Sequence, residues 1–127
     1  MLFRSLPFWR AVRMRAPGDL LESESRYGQA EALLLDAFVD GYGGSGHSFD
    51  WSWIAPHRKL PVILSGGLKV ATVHEAITRV RPVMVDVSSG IQTADPRRKD
   101  PDLMAGFMAE VQRADSTASD PTQDPHA

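Results

Sequence analysis

Three short stretches end in residues able to do chemistry: "LLLDAF" (33–38), "VILSGG" (62–67) and "VMVDVSSG" (83–90). Asp36 closes an apolar run where a loop begins. Read by itself it is a loop or helix cap, the commoner use of aspartate. The functional alternative is a partly desolvated carboxyl with a raised pKa, suited to general-acid work. Gly66 and Gly67 follow their strand directly. Glycine lets a backbone approach a ligand closely and aim neighbouring N–H groups at an anion, although turns use such a pair constantly. Asp86 is the one charge in its apolar run, and an unpaired buried carboxylate is costly. Strand alternation puts Met84, Asp86 and Ser88 on one face and Val83, Val85 and Val87 on the other. The valine face suits packing under helices. The Asp86 face suits a pocket, with Ser88, Ser89 and Gly90 offering hydroxyls and N–H groups beyond it.

The elements that must position these residues repeat. "FWRAVRM" (8–14) reads as a strand and 17–29 as a helix. "EALLLDAF" (31–38) is a strand, and the glycine-rich loop 39–48 leads to a short helix at 49–57, N-capped by Asp50. A third strand spans 60–67, an amphipathic helix 68–80, a fourth strand 81–90 and a last helix 100–114. The stripe Val70, Val73, Ala76, Ile77 and Val80 packs one helix. Leu103, Met104, Phe107, Met108 and Val111 are expected to face inward from the other. Asp100 is expected to cap that last helix. Residues 115–127 hold no large apolar side chain and read as a disordered polar tail. Alternating strands and helices mean βα units on a parallel sheet. Near-continuous apolar strands are covered on both faces, and ligands bind at their C-terminal ends. Gly66, Gly67, Ser88 and Ser89 would then converge on one phosphate, as the last two loops of an eight-stranded barrel often do.

Composition narrows the function. The 127 residues are 43% hydrophobic and 24% charged with a formal charge of −2, enough for one domain and without the basic surplus of a nucleic-acid partner. Arg4, Arg10, Arg13 and Arg15 are followed at once by Asp19, Glu22 and Glu24, which reads as a solvated face. There is no cysteine, so no disulfide, thiolate metal site or cysteine nucleophile arises within the sequence. The opening residues hold no apolar run fit for a signal peptide or membrane span, which fits a cytoplasmic protein without a membrane partner.

Four βα units fall short of a closed (β/α)8 barrel, and no GxGxxG fingerprint supports a dinucleotide fold. "LLLDAFVDGYGGSGHSFDWSWI", "PVILSGGL", "RPVMVDVSSGIQ" and "RRKDPDLMAGFMAEV", in that order, resemble the C-terminal half of phosphoribosylanthranilate isomerase, from about Leu6 to Arg113. The resemblance implies that the α/β strands are the fifth to eighth of a (β/α)8 TIM barrel, with residues 1–113 as partial barrel and 114–127 as tail. It implies a phosphorylated small-molecule substrate, N-(5-phosphoribosyl)anthranilate. An Amadori rearrangement turns this into 1-(2-carboxyphenylamino)-1-deoxyribulose 5-phosphate in tryptophan biosynthesis, with no cofactor and no metal. Asp36 matches the family's general acid, and Asp86 lines the pocket. Gly66, Gly67, Ser88 and Ser89 match the phosphate site, and "YGGSG" (42–46) the loop that closes over it. The family's base is a cysteine of a "K.CG" motif on the first strand. Its absence suggests an N-terminally shortened chain with little activity alone, whose open edges pair with a second copy or with a separate N-terminal half.

The remaining polar residues read as structural. His47, His57, His74 and His126 have no mutual ligand spacing. Trp51 and Trp53 are packing anchors, and Arg97, Arg98 and Lys99 read as a solvated loop, with steering of an anionic substrate as the alternative. Two other readings compete. Another phosphate-binding barrel enzyme, such as indole-glycerol-phosphate synthase, relies on lysine and glutamate where this sequence has aspartates and serines. A non-catalytic phosphate-binding half barrel is the other.

Overall fold

The computed structural model describes residues 6–37 and 48–118. Strand β1 (Trp9–Met14), helix α1 (Asp19–Arg26), strand β2 (Ala32–Ala37), strand β3 (Val62–Leu64), helix α2 (Val73–Val80), strand β4 (Met84–Val85) and helix α3 (Pro101–Ala118) follow in chain order. One-turn 3₁₀ segments lie at Trp51–Trp53 and Ser89–Ile91. The four strands are parallel and ordered β1-β2-β3-β4. An order that steps one way, joined by right-handed crossovers, places the connecting helices on one face of the sheet.

The strand periodicity sorts side chains between the two faces. Val12 and Met14, Leu33 and Leu35, and Val62 and Leu64 join Leu20, Val73, Ala76, Ile77, Val80 and Phe107 in one buried core. Val85 and Val87 pack against its margin. The alternate residues form a second face in register: Ala11 beside Leu34, Leu34 beside Ile63, Ile63 beside Met84. One layer nearer the C-terminal ends, Arg13 is the neighbour of Asp36.

Several expected bounds shift. β4 ends at Val85 rather than running to 90, because as an edge strand it has a ladder partner on one side only. Val83 is 66% exposed and does not pack with the other valines. α2 starts at Val73, after a turn in which Lys69 N–H donates to the Thr72 hydroxyl, not at 68. The helix expected at 49–57 is the single turn Trp51–Trp53. Its Asp50 cap holds, the carboxylate accepting from Ser52 N–H at 2.9 Å and from the Ser52 hydroxyl at 2.7 Å. These bonds keep the Asp50 carboxyl below its usual value. Trp51 and Trp53 do pack on the core, with Trp53 stacked on Phe49.

Asp100 caps α3, its Oδ1 accepting from Asp102 and Leu103 N–H. That helix carries Phe107 and Ala114 inward, but Met104 and Met108 are 45% and 54% exposed and so do not face the core. It runs to Ala118, past the expected end at 114, so residues 115–118 are helical rather than part of a disordered tail. Glu24 is buried rather than solvated, its Oε2 accepting from Lys59 N–H at 2.5 Å and so tying α1 to the approach of β3. Among the described residues no helix is long and apolar enough to cross a membrane.

Candidate functional site

The C-terminal ends of β2, β3 and β4 bring the chemically capable residues together. Parallel pairing aligns Leu35 with Leu64 and Leu64 with Val85. Ser65 N–H donates to Leu35 O and Asp86 N–H to Leu64 O, both at 2.9 Å. The residue after each pair therefore lies on the helix-free face, giving the row Arg13, Asp36, Ser65, Asp86. Ser65 is buried and its hydroxyl donates to Asp86 Oδ2 at 3.2 Å. Asp86 itself is exposed, so an aspartate at the end of this apolar run carries no burial cost, and the Ser65 bond orients its carboxylate. Asp36 is half-buried and its Oδ1 accepts from Ala37 N–H at 2.8 Å.

The glycines following β3 are needed by the backbone. Gly66 and Gly67 have φ of 92° and 67°, in the left-handed region where glycine is favoured. A Cβ at Gly66 would also come within 2.8 Å of both Asp36 Oδ1 and Ala37 N. The loop after β3 therefore lies directly on the carboxylate that ends β2.

Gly90 makes the corresponding join on the other side. Its φ is not positive, but a Cβ there would overlap the carbonyl oxygen of Leu68 and sit 3.0 Å from its carbon. The loops 65–69 and 88–91 are thus in backbone contact. The N–H groups of Gly66, Gly67, Ser89 and Gly90 donate to no other group among the described residues. Two touching loops with undonated N–H groups, beside two carboxylates, are equipped to hold an anion and move a proton near it.

Ser65, Arg13 and the close approach of Gly90 were not singled out from sequence. A register was needed to place the first two in one row, although the alternation of "RAVRM" already put Arg13 opposite Val12 and Met14. The expected loop at 42–46 and His47 lie outside the described residues. His74 sits in α2, its buried Nε2 without a hydrogen-bond partner among the described residues. Among the described residues no group of three His, Cys, Asp or Glu is placed to hold a metal.

A second cavity of about 520 Å³ opens at the opposite, N-terminal end of β3 and β4, lined by Trp51, Ile54, Arg58, Arg79 and Arg81 among others. Its central cation has a structural task. Arg58 donates to Ala55 O, Val80 O and Arg81 O, closing the C-terminus of α2 where Arg81 turns left-handed at φ 52°. Burial lowers the Arg58 guanidinium from its usual value, with the Glu24 charge opposing. In barrels that end of the sheet serves stability.

Comparison with known proteins shows what the whole chain is similar to. The family model for N-(5'-phosphoribosyl)anthranilate isomerase matches residues 1–110. An N-(5'-phosphoribosyl)anthranilate isomerase of Dechloromonas aromatica is 48% identical over 111 residues, covering 87% of this chain and 53% of that protein. One of Leptothrix cholodnii is 48% identical over 114 residues, covering 90% and 51%. Among solved structures, phosphoribosylanthranilate isomerase from Thermotoga maritima superposes with a TM-score of 0.72 at 36% identity, over 88% of this chain and 54% of that one. Another, solved with reduced 1-(o-carboxyphenylamino)-1-deoxyribulose 5-phosphate, gives 0.67 at 32%, over 88% and 52%. The chain spans about half the length of the relatives it matches, and its parallel α/β sheet is of the TIM-barrel type that those structures have. By sequence and by fold, the chain belongs to the N-(5'-phosphoribosyl)anthranilate isomerase family.

Proposed function

We propose that the C-terminal ends of β2, β3 and β4 form the acid and phosphate portion of an isomerase site acting on N-(5'-phosphoribosyl)anthranilate. The observation that carries this is the convergence of Asp36, Ser65–Asp86 and the two touching loops on one end of one face. Gly66, Gly67, Ser88 and Ser89 hold the substrate phosphate through N–H groups and hydroxyls. Asp36 protonates the ribose ring oxygen as the C1–O bond breaks, leaving a protonated imine between the sugar's first carbon and the anthranilate nitrogen. A base then removes the proton from the adjacent carbon, and tautomerisation gives the ketose. Asp86, oriented by Ser65, lines the pocket beside the reacting sugar. The steps need proton transfer alone, so no cofactor enters.

The four strands act as the fifth to eighth of a (β/α)8 barrel. The half-length match to the relatives supports this, as do the edges of β1 and β4, unpaired among the described residues, with exposed Trp9, Val83 and Met84 beside them. An exposed strand edge is a pairing surface, and here it suits further parallel strands. The resemblance gives the base as a cysteine on the family's first strand, and this sequence has no cysteine, so in this reading the base comes with those strands.

The test is calorimetric titration of the chain with the reduced 5-phosphate analogue. Binding is expected, and Ser88→Ala with Ser89→Ala should abolish it while the circular dichroism spectrum stays unchanged. Undiminished binding by the double variant would remove the phosphate assignment. With a relative's first four strands added, Asp36→Asn should cut turnover by about 10²–10⁴-fold while analogue affinity holds. Turnover equal to that of the unaltered chain would remove Asp36 as the acid.

A further inference from the structure

Three consecutive cations, Arg97, Arg98 and Lys99, follow the loop that leaves β4, and the structure separates their roles. Arg97 folds back on Asp95, Nε to Oδ1 at 3.1 Å, and stays at the surface. Arg98 is engaged through its backbone: its carbonyl accepts from Thr93 N–H at 3.0 Å and its N–H donates to Asp95 O at 2.9 Å. Lys99 turns the other way. Its Nζ donates to the Ser88 carbonyl at 3.0 Å, bridging 11 positions of chain.

The backbone fixes that direction. Gln92 and Lys99 form an antiparallel bridge. Asp100 N–H donates to Ile91 O at 2.8 Å, while the Asp100 side chain caps α3. Lys99 is therefore anchored on both sides, and its ammonium rests on the first residue of the Ser88–Gly90 loop. An ammonium has three N–H donors and Ser88 O takes one. Among the described residues no carboxylate lies within ion-pair distance of it. Among the described residues its positive charge thus has no ion-pair partner, and it rests on the loop that follows Asp86.

We propose that Lys99 is a binding residue of the phosphate subsite. It holds the Ser88–Gly90 loop by its carbonyl and supplies the cation that a phosphate-monoester dianion requires there. The argument rests on the phosphate assignment made above and adds to it. Backbone N–H groups and hydroxyls donate hydrogen bonds but carry no net charge, and two carboxylates nearby repel a dianion. Lysine acts on phosphate as a point charge, so it can offset that repulsion from the loop's edge. The antiparallel bridge and the Asp100 cap are independent of its side chain, so substitution should leave the fold in place.

The experiment is titration of inorganic phosphate into the 127-residue chain, followed by ³¹P NMR at several salt concentrations. Lys99→Met should weaken binding by about tenfold and flatten its salt dependence, the size expected for one partly screened charge pair. Lys99→Arg should restore affinity to within about threefold, because the charge is kept. The second ionisation of bound phosphate should move upward in Lys99→Met, a shift that a merely structural lysine would not produce. If the unaltered chain binds phosphate and Lys99→Met binds it equally with the same salt slope, Lys99 has no such role and the phosphate loops stand. If the unaltered, folded chain binds no phosphate, the phosphate assignment falls and the role of Lys99 falls with it.

Discussion

Replacing Gly90 by alanine should open the site from the side of β4. The added Cβ would meet backbone on the facing loop: it overlaps the Leu68 carbonyl oxygen and comes to 3.0 Å from Leu68 C and 3.2 Å from Lys69 Cα. Carbon–carbon contacts normally rest at about 3.5–4.0 Å. The loops must then part by at least about 0.5 Å to relieve the carbon contact, and further to clear the oxygen. No rotamer change can absorb this, since the obstructing atoms are main chain. Overpacking of this kind costs about 1–3 kcal/mol of stability. The effect on ligand should be larger, because a misplacement near 1 Å between groups that must act together costs about 10²-fold. Titration with the reduced 5-phosphate analogue, beside a thermal melt, measures both. Gly18→Ala is the control, since a Cβ at Gly18 meets nothing within 4 Å. If Gly90→Ala bound the analogue as the unaltered chain does, the two loops would not form one cradle and the reasoning would fail.

Gly66→Ala should be at least as damaging, combining a φ of 92° with a Cβ 2.8 Å from Asp36 Oδ1; a strained conformation of this kind costs about 1–3 kcal/mol, measurable by urea denaturation. Glu24→Ala removes the acceptor of Lys59 N–H and should lower stability by about 2 kcal/mol, with Glu24→Gln, which keeps an acceptor, losing less. The carboxyls of Asp50, Asp95 and Glu110 are held below their usual values of 3.8, 3.8 and 4.5, chiefly by side-chain hydrogen bonds from Ser52, Arg97 and Arg113. Because the folded values are depressed, their contribution is present above the unfolded values and fades as pH falls through the folded ones. Asp50 is exposed and Asp95 and Glu110 are only half-buried, so melting temperature should fall only gently below pH 4.5, and Asp50→Ala should soften that decline further.

The sequence disclosed most where burial is two-sided. The apolar runs of β2 and β3 lie within the sheet and show no alternation, so their positions and parallel pairing follow from composition and from the βα rhythm. β4 was read too long for the converse reason. Residues 83–87, apolar but for Asp86, resemble a central strand, yet with a neighbour on one side the ladder covers only Met84–Val85. The apolar stripe of α3 misled in the same way: Met104 and Met108 continue its periodicity, but no described element covers their face. Hydropathy could not foresee that Glu24 would be buried on a backbone N–H. At the site, Asp36, Asp86 and the two glycines after β3 were legible because each breaks an apolar run at its end. Ser65 and the contact of Gly90 with the facing loop were not, because they depend on which loops touch, which neither spacing nor residue type encodes.

The measurement closest to the central claim is an amide chemical-shift map of the chain titrated with the reduced 5-phosphate analogue. The site described here predicts the largest shifts at Ala37, Gly66, Gly67, Ser89 and Gly90, at the C-terminal ends of β2, β3 and β4. Shifts concentrated instead at Arg58, Val80 and Arg81, around the cavity at the other end of the sheet, would contradict it.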